Sequence, residues 1–192
     1  MNTIHPLQAS LQKWKDLSAT MGDLQTVLDA ATEAIASAME AEGKLLACGN
    51  GGSAAESAHL TSELVGRFRK DRRALPAICL PAEVSALTSI GNDYGFEQIY
   101  SRQVEAHGRP GDVLAVFSTS GNSPNIVKAA AAAKACGMPV LGFLGKDGGA
   151  LRAMCDFPLL IDSNETARIQ EAHLLCVHVL CELLEIRLGL CE

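Results

Sequence analysis

The chain has 192 residues with 16 basic and 22 acidic side chains, which gives a formal net charge of −6. This length predicts one globular domain, and an acidic chain whose only dense basic group is short excludes nucleic acid binding as a main role. No apolar run reaches the roughly 18 residues of a membrane helix, so we expect no membrane partner and a cytoplasmic location. The basic group consists of Arg67, Arg69, Lys70, Arg72 and Arg73.

Seven cysteines are scattered along the chain without a C-x-x-C pair. An odd number of cysteines embedded in apolar runs is typical of reduced core residues in a cytosolic protein. Closely spaced cysteine pairs are typical of zinc–thiolate sites, so this pattern argues against such a site. The cysteines are Cys48, Cys79, Cys136, Cys155, Cys176, Cys181 and Cys191.

Two amphipathic helices are predicted first, over residues 7–20 and 24–42. Short apolar runs then alternate with helical segments, which is typical of a parallel sheet covered on both faces. The sequence therefore predicts a three-layer α/β/α sandwich with a five-stranded parallel sheet and N-terminal helices. The predicted strands are 44–48, 77–80, 112–118, 139–144 and 157–161, and the further helices are 54–65, 96–107, 123–136 and 165–190.

Glycine and serine are concentrated in two loops that follow predicted strands, GNGGS at 49–53 and STSGNSP at 118–124. Ligands bind beyond the carboxyl ends of parallel strands, and a helix N-terminus attracts anions. One such loop is equally well explained as a serine-capped turn, but two favour anion binding. Neither loop has the Walker or the G-x-G-x-x-G pattern, so a small phosphate monoester fits better than a nucleotide.

Ionisable side chains stand on two of the predicted helices. His59 and Glu63 are four residues apart and therefore share one helix face. If buried they would form an acid/base or metal-ligand set, and if exposed only a surface pair. A predicted apolar helical stretch is interrupted by three polar residues, Gln170, His173 and His178. Burying a polar group costs free energy unless it has a hydrogen-bond partner. At least one of these three therefore has a partner, and a satisfied core histidine is the common alternative to a functional one.

These segments together resemble the phosphoheptose isomerases of the sugar-isomerase (SIS) domain superfamily, over residues 25–188. The resemblance implies a single SIS domain over 1–192, with the helical segment 1–42 used in oligomer packing. The implied reaction converts sedoheptulose 7-phosphate to D-glycero-D-manno-heptose 7-phosphate through an enediol, for activated heptose biosynthesis. The segments that carry the resemblance are CGNGGSAAESAHLTSELVGRF, GND, STSGNSPN and RIQEAHLLCVH.

The resemblance also implies roles for single residues. Glu63 matches the catalytic carboxylate and His178 the catalytic histidine, while Ala167 departs from the acidic residue that such isomerases often have there. The matching zinc ligands, for one divalent ion per site, are His59, Glu63, Gln170 and His178. The matching substrate contacts, with the serine loop cradling the phosphate, are Asn50, Gly51, Gly52, Ser53, Glu63, Asn92, Asp93, Ser118, Thr119, Ser120, Ser123 and Gln170.

The chemistry of the reaction agrees with these roles. Ketose–aldose interconversion needs a base, an acid that acts on the oxygens, and stabilisation of negative charge, to which zinc would contribute as a Lewis acid. Two other roles use the same loops: a non-catalytic SIS-domain protein that binds a partner such as the DnaA replication initiator, or a sugar-phosphate-sensing regulator. Neither needs an acid/base pair, so the presence of Glu63 and His178 favours the enzyme.

Helix geometry bears on assembly. Gln170 and His178 lie about 12 Å apart along one predicted helix, whereas zinc bonds are about 2 Å long. Either one of them is not a ligand, or the two come from different chains. The apolar stretch 174–186 favours a helical subunit interface. We therefore predict a homo-oligomer, the tetramer that the resemblance implies, with active sites at subunit boundaries: His59 and Glu63 from one chain and His178 from a neighbour.

Overall fold

A computed structural model describes residues 4–190; residues 1–3 and 191–192, among them Cys191, lie outside the described part. The strands are β1 (Leu45–Gly49), β2 (Ala77–Cys79), β3 (Val113–Ser118), β4 (Val140–Gly145) and β5 (Phe157–Ile161). The α-helices are α1 (Pro6–Ser18), α2 (Gln25–Glu40), α3 (Gly52–Val65), α4 (Val84–Tyr94), α5 (Ser101–His107), α6 (Pro124–Ala135) and α7 (Thr166–Arg187).

The five strands form one parallel sheet in the order β2-β1-β3-β4-β5. Strands β1, β3 and β4 are buried along their whole length, because helices cover both faces of the sheet. The predicted three-layer architecture and its five parallel strands are thus confirmed. Each observed strand begins and ends within one residue of its predicted range.

Side chains of the sheet alternate between two apolar cores. Leu45 and Ala47 of β1 point to the core formed with α2, α3 and α7, while Leu46 points to the core formed with α5 and α6. Helix α1 packs against α7. In the part of the chain that the structure describes, no helix is both long and apolar enough to cross a membrane.

One helix was not predicted. Helix α4 covers Val84–Tyr94, and the predicted helix 96–107 is instead a 3₁₀ turn at Phe96–Gln98 followed by the shorter α5. None of the residues of α4 is buried, and Val84, Ser85, Thr88, Ser89 and Gly91 are weak helix formers, so the composition of this segment does not indicate a helix. Gly95, whose φ is +88°, separates α4 from the turn because this backbone conformation ends the helix.

Sheet order and register decide where the two glycine- and serine-rich loops lie. Strands β1 and β3 are neighbours, and Gly49 at the end of β1 pairs with Phe117 of β3. Both strands end at the same edge of the sheet, so residues 49–53 and 118–123 lie next to each other there. Helices α3 and α7 also pack side by side on one face of the sheet.

Candidate active site

The first loop is a tight turn that leads directly into α3. A β-carbon on Gly49 would overlap the backbone of Ser53, so only glycine fits this position. Gly51 has a φ of +57°, which glycine adopts without strain, and it precedes the first residue of α3. The Tyr100 hydroxyl donates a hydrogen bond to the carbonyl oxygen of Gly49 at 2.6 Å. The turn is therefore fixed, and it presents the α3 N-terminus at the sheet edge.

The second loop is held by its own serine hydroxyls. Ser118 Oγ accepts from the Gly121 N–H at 3.0 Å, and Ser120 Oγ accepts from the Asn122 N–H at 3.3 Å. Gly121 has a φ of +65° and would collide with the Gly148 carbonyl if it carried a side chain. Ser123 stands at the N-cap of α6 and makes no side-chain capping bond, so its hydroxyl is available to a ligand.

A pair of asparagines joins the two loops. Asn50 Nδ2 donates to Asn125 Oδ1 and Asn125 Nδ2 donates to Asn50 Oδ1, both at 2.8 Å. Asn125 is buried. Neither Asn125 nor Tyr100 was among the predicted site residues, because their partners Asn50 and Gly49 are distant in sequence.

Two of the predicted substrate contacts lie elsewhere. Asn92 and Asp93 belong to the last turn of α4 and are exposed. Asn92 Nδ2 donates to Asp93 Oδ1 at 2.7 Å. Neither residue takes part in the hydrogen bonds between Asn50 and Asn125 that join the two loops. The role of Asn92 and Asp93 as substrate contacts stays a prediction.

A cluster of His59, Glu63 and His178 lies where α3 and α7 pack together. His59 Nε2 is 3.0 Å from His178 Nε2 and 3.3 Å from Glu63 Oε1. The side chain of His59 is 39% exposed and that of Glu63 is 21% exposed, so the cluster is open to a ligand. The Phe68 ring stacks on the His178 imidazole with 5.7 Å between ring centroids. The predicted pair His59 and Glu63 is therefore part of a three-residue group.

The geometry of this cluster fits a zinc ion. One ligand atom from each of the three residues lies within 4.8 Å of the other two. In a tetrahedral zinc site with bonds of about 2.1 Å, neighbouring ligand atoms are about 3.4 Å apart, close to the spacings seen here. Two imidazole nitrogens and one carboxylate oxygen are also the donor types of catalytic zinc sites, which leave one position open to substrate.

This arrangement corrects the predicted division of the site between chains. His178 meets His59 and Glu63 within one chain, because the packing of α3 on α7 brings them together, so a neighbouring chain need not supply His178. Gln170 lies two turns earlier on α7, and its carboxamide packs against Gly52 of the first loop. Within one chain, Gln170 therefore belongs with the loops and not with the histidines.

The remaining histidine of the apolar stretch does have a partner, as predicted. His173 is fully buried, its Nε2 lies 3.2 Å from the Leu144 carbonyl oxygen, and its Nδ1 lies 3.7 Å from Glu56 Oε1. Glu56 was not among the predicted site residues. The His173 ring makes edge-to-face contacts with the rings of Phe117 and Phe143. His173 is therefore a core residue that anchors α7 to the sheet.

The sequence model of SIS domains matches residues 11–145. A phosphoheptose isomerase of Citrifermentans bemidjiense is 48% identical over 88% of this chain and 88% of its own length. One of Geotalea daltonii is 46% identical over 96% of this chain and 97% of its own. The chain belongs to the phosphoheptose isomerase family. The structure of the phosphoheptose isomerase from Neisseria gonorrhoeae superposes with a TM-score of 0.89 at 40% identity and covers 94% of this chain and 97% of that one.

Membership of the phosphoheptose isomerase family decides between the alternatives left open by the sequence. Relatives that carry the name of an enzyme match this chain over nearly its whole length, and each covers the loops as well as the histidine cluster. The enzyme, and not a partner-binding protein or a sugar-sensing regulator, is the role that agrees with these relatives. The chain is accordingly an aldose–ketose isomerase.

Proposed function

We propose that this chain converts sedoheptulose 7-phosphate to D-glycero-D-manno-heptose 7-phosphate through an enediol, with Glu63 and His178 as its acid/base pair. The observation that carries the proposal is the cluster of His59, Glu63 and His178 in a member of the phosphoheptose isomerase family. A carboxylate and an imidazole that share one open site are suited to proton transfer near neutral pH.

Each group of the pair has a defined task in the reaction. A base must take the proton from C1 of the ketose and return it to C2, while an acid moves a proton between the oxygens of C1 and C2. Glu63 has one carboxylate oxygen facing His59, which leaves the other to take the carbon-bound proton. We assign the exchange of a proton with the substrate oxygens to His178, whose imidazole stacks on the Phe68 ring.

The loops bind the phosphate end of the sugar. The support is the Ser123 hydroxyl at the N-terminus of α6, together with the glycine turn at the N-terminus of α3. Helix N-termini and hydroxyl donors stabilise a phosphate dianion without placing a positive side chain there. Gln170 lies against Gly52 and is proposed as a substrate contact. The other proposed contacts are Asn50, Gly51, Ser53, Asn92, Asp93, Ser118, Thr119 and Ser120.

We propose zinc as the metal of the site, held by His59, Glu63 and His178. When bound, it would polarise the carbonyl and hydroxyl oxygens at C1 and C2 as a Lewis acid. Gln170 of the same chain lies about 12 Å from His178 along α7, which is too far for it to share this ion. Gln170 joins the metal ligands only if a neighbouring chain supplies it.

We further propose a homotetramer, built from a single SIS domain over 1–192 with the segment 1–42 in the subunit contacts. The support is an exposed apolar face on and before α1, with Ile4 at 72%, Leu7 at 60% and Leu11 at 58% exposure. In this assembly each active site lies at a subunit boundary, where the cluster of one chain faces the loops of its neighbour. A cytoplasmic location is proposed because the described cysteines are free thiols.

The test is turnover of sedoheptulose 7-phosphate by the purified chain, before and after treatment with a chelator and again after addition of zinc. We expect an aldose product, loss of activity with chelator, and recovery with zinc. Absence of an aldose product from the zinc-loaded protein would contradict the proposed reaction. Full activity after complete removal of bound metal would instead contradict the metal assignment alone.

A further inference from the structure

A buried ion pair joins the end of α3 to α7 close to the active-site cluster. Arg72 Nε lies 2.8 Å from Glu185 Oε1, and each side chain is only 2% exposed. A buried ion pair contributes little net stability compared with apolar side chains of similar size, because the cost of desolvating both charges offsets their attraction. Stability by itself therefore does not explain why two charges lie here.

Arg72 is bonded to the backbone that carries Glu63. Its guanidinium donates to the carbonyl oxygens of Glu63 at 2.6 Å and Leu64 at 2.9 Å. The last carbonyl groups of an α-helix have no partner within the helix, so these bonds cap α3 at its C-terminus. The backbone position of Glu63 is thus fixed by the same side chain that pairs with Glu185.

Glu185, the partner of Arg72, is connected to His178 through Phe68. Its Oε1 also accepts a hydrogen bond from the Phe68 N–H at 3.3 Å, and the Phe68 ring stacks on the His178 imidazole. Glu185 follows His178 by seven residues, which is two helical turns, so both side chains leave the same face of α7. One buried pair therefore contacts the segments that hold both members of the proposed acid/base pair.

We propose that Arg72 and Glu185 are positioning residues for the isomerase reaction. They hold Glu63 through its backbone and His178 through the Phe68 ring, so that the two groups keep the spacing that proton transfer and metal binding require. This inference rests on the proposed roles of Glu63 and His178. Arg72 is one of the five clustered basic residues at 67–73. Its role in this proposal is to orient the active site, not to attract a polyanion.

The chain contains a matched control for this pair. Arg69 lies in the same segment between α3 and β2 as Arg72, and it forms an ion pair with Glu182 of α7 at 2.5 Å. The two side chains are 63% and 39% exposed. Glu182 lies one turn before Glu185 on α7. An exposed pair of this kind contributes little to stability, so Glu182→Gln reports the general cost of altering a charge in this region.

The experiment compares Arg72→Lys and Glu185→Gln with Glu182→Gln, because the Arg69 guanidinium also lies over the Phe68 ring, 5.5 Å from its centroid. We expect the two buried variants to lower kcat about 10- to 100-fold and to raise the dissociation constant for zinc about tenfold, because partners that orient active-site groups have effects of this size. The KM for the substrate should stay within about threefold, since the loops are untouched. The control variant Glu182→Gln should match the parent in kcat and in zinc affinity. Buried variants that also match the parent in kcat and zinc affinity would overturn the inference.

Phe68 variants decide the question even if the buried-pair variants do not fold. Phe68→Tyr keeps the ring on His178, whereas Phe68→Leu removes it without touching the ion pair. We expect Phe68→Tyr to resemble the parent and Phe68→Leu to lose about tenfold in kcat at an unchanged midpoint of thermal unfolding. Equal activity of the two variants would overturn the inference. Full activity of Glu63→Gln or His178→Gln would instead show that the proposed roles themselves are wrong.

Discussion

The chemistry of single residues is concentrated in side chains that α3 and α7 bring together. His59, Glu63 and His178 each place one donor atom within a small volume, and two of these side chains remain accessible to solvent. Such a set is suited to hold a divalent cation. Single substitutions here should therefore affect the chemical step more than the fold.

Glu63→Gln should abolish isomerisation, because it removes the charge and the basicity of the carboxylate but keeps its shape. We expect the same result for His178→Gln. Steady-state kinetics measure the effect, and circular dichroism and binding of a phosphorylated sugar analogue serve as controls for fold and binding. A variant that retains activity within about tenfold of the parent, or about 1.4 kcal/mol in the barrier, would lose its catalytic assignment.

Ser120→Ala and Ser123→Ala should mainly raise KM, because each deletes a hydroxyl at the phosphate end and far from the proton-transfer groups. The effect should be larger for Ser123, since its hydroxyl makes no capping bond while Ser120 Oγ already accepts from the Asn122 N–H. Inhibition by phosphorylated and unphosphorylated sugar analogues is compared in the parent and in each variant. If the parent bound both analogues equally well, the loop would not be the phosphate site.

Whole elements are held in place by contacts between segments distant in sequence. The reciprocal asparagine bond connects the loop after β1 with the start of α6, across 75 residues of sequence. The exposed guanidinium of Arg187 at the end of α7 bonds Glu33 and Glu40 of α2. The first contact sets the spacing of the ligand loops, and the second fixes α2 on α7.

Asn50→Ala should reduce the free energy of unfolding by about 1–3 kcal/mol, because it leaves the buried Asn125 carboxamide without its partner. Asn125→Ala should have a similar effect, and the double variant should lose less than the sum of the two. Urea denaturation of the four proteins measures the coupling. Strictly additive losses would contradict the idea that the pair joins the loops.

The contribution of Glu33 to stability should depend on pH. Hydrogen bonding to Arg187 lowers the pKa of Glu33 below its usual value of 4.5. A carboxyl whose pKa is lower in the folded than in the unfolded chain stabilises the fold above the unfolded pKa, and this contribution is lost as the pH falls through the folded pKa. The difference in thermal midpoint between the parent and Glu33→Gln should therefore be present at pH 7 and shrink below about pH 4. A difference independent of pH would contradict this assignment.

At the scale of the whole molecule, the exposed apolar faces have no covering partner among residues 4–190, the part of the chain that the structure describes. Beyond the face on α1, Leu175 and Ile186 of α7 are exposed at 42% and 59%. A helical face of this kind is typical of a subunit contact. His59, Glu63 and His178 already lie together within one chain. We therefore expect assembly to place this cluster beside the loops of another chain.

Mixing of inactive variants tests this arrangement. Glu63→Gln mixed with His178→Gln should stay inactive after subunit exchange, because no chain then carries an intact cluster. Glu63→Gln mixed with Ser120→Glu, which places a negative charge in the phosphate loop, should recover about a quarter of parental activity if cluster and loops come from different chains. Mass measurement of the exchanged oligomer is the control. No recovery in the second mixture despite exchange, or a fully active monomer, would rule out shared sites.

The sequence by itself determined the architecture. Apolar runs such as 112–118 and 139–144 are short, continuous and separated by helical segments, and only a doubly covered parallel sheet buries such runs completely. The two loops were identifiable from local sequence as well, because the positive φ of Gly51 favours glycine and Pro124 opens α6 directly after Ser123. Helix α4 escaped prediction because Ser85, Thr88, Ser89 and Gly91 are weak helix formers, so that its composition is typical of a loop.

Only the tertiary structure decided how the site is put together. His59 and His178 are 119 residues apart, and no periodicity indicates that their Nε2 atoms face each other. Spacing along α7 suggested that His178 serves a neighbouring chain, but the packing of α3 on α7 places it within its own chain. Asn125, Arg72 and Glu185 likewise acquire their roles from partners that are distant in sequence. Local patterns fix elements because they depend on neighbours along the chain, whereas an active site depends on which elements pack together.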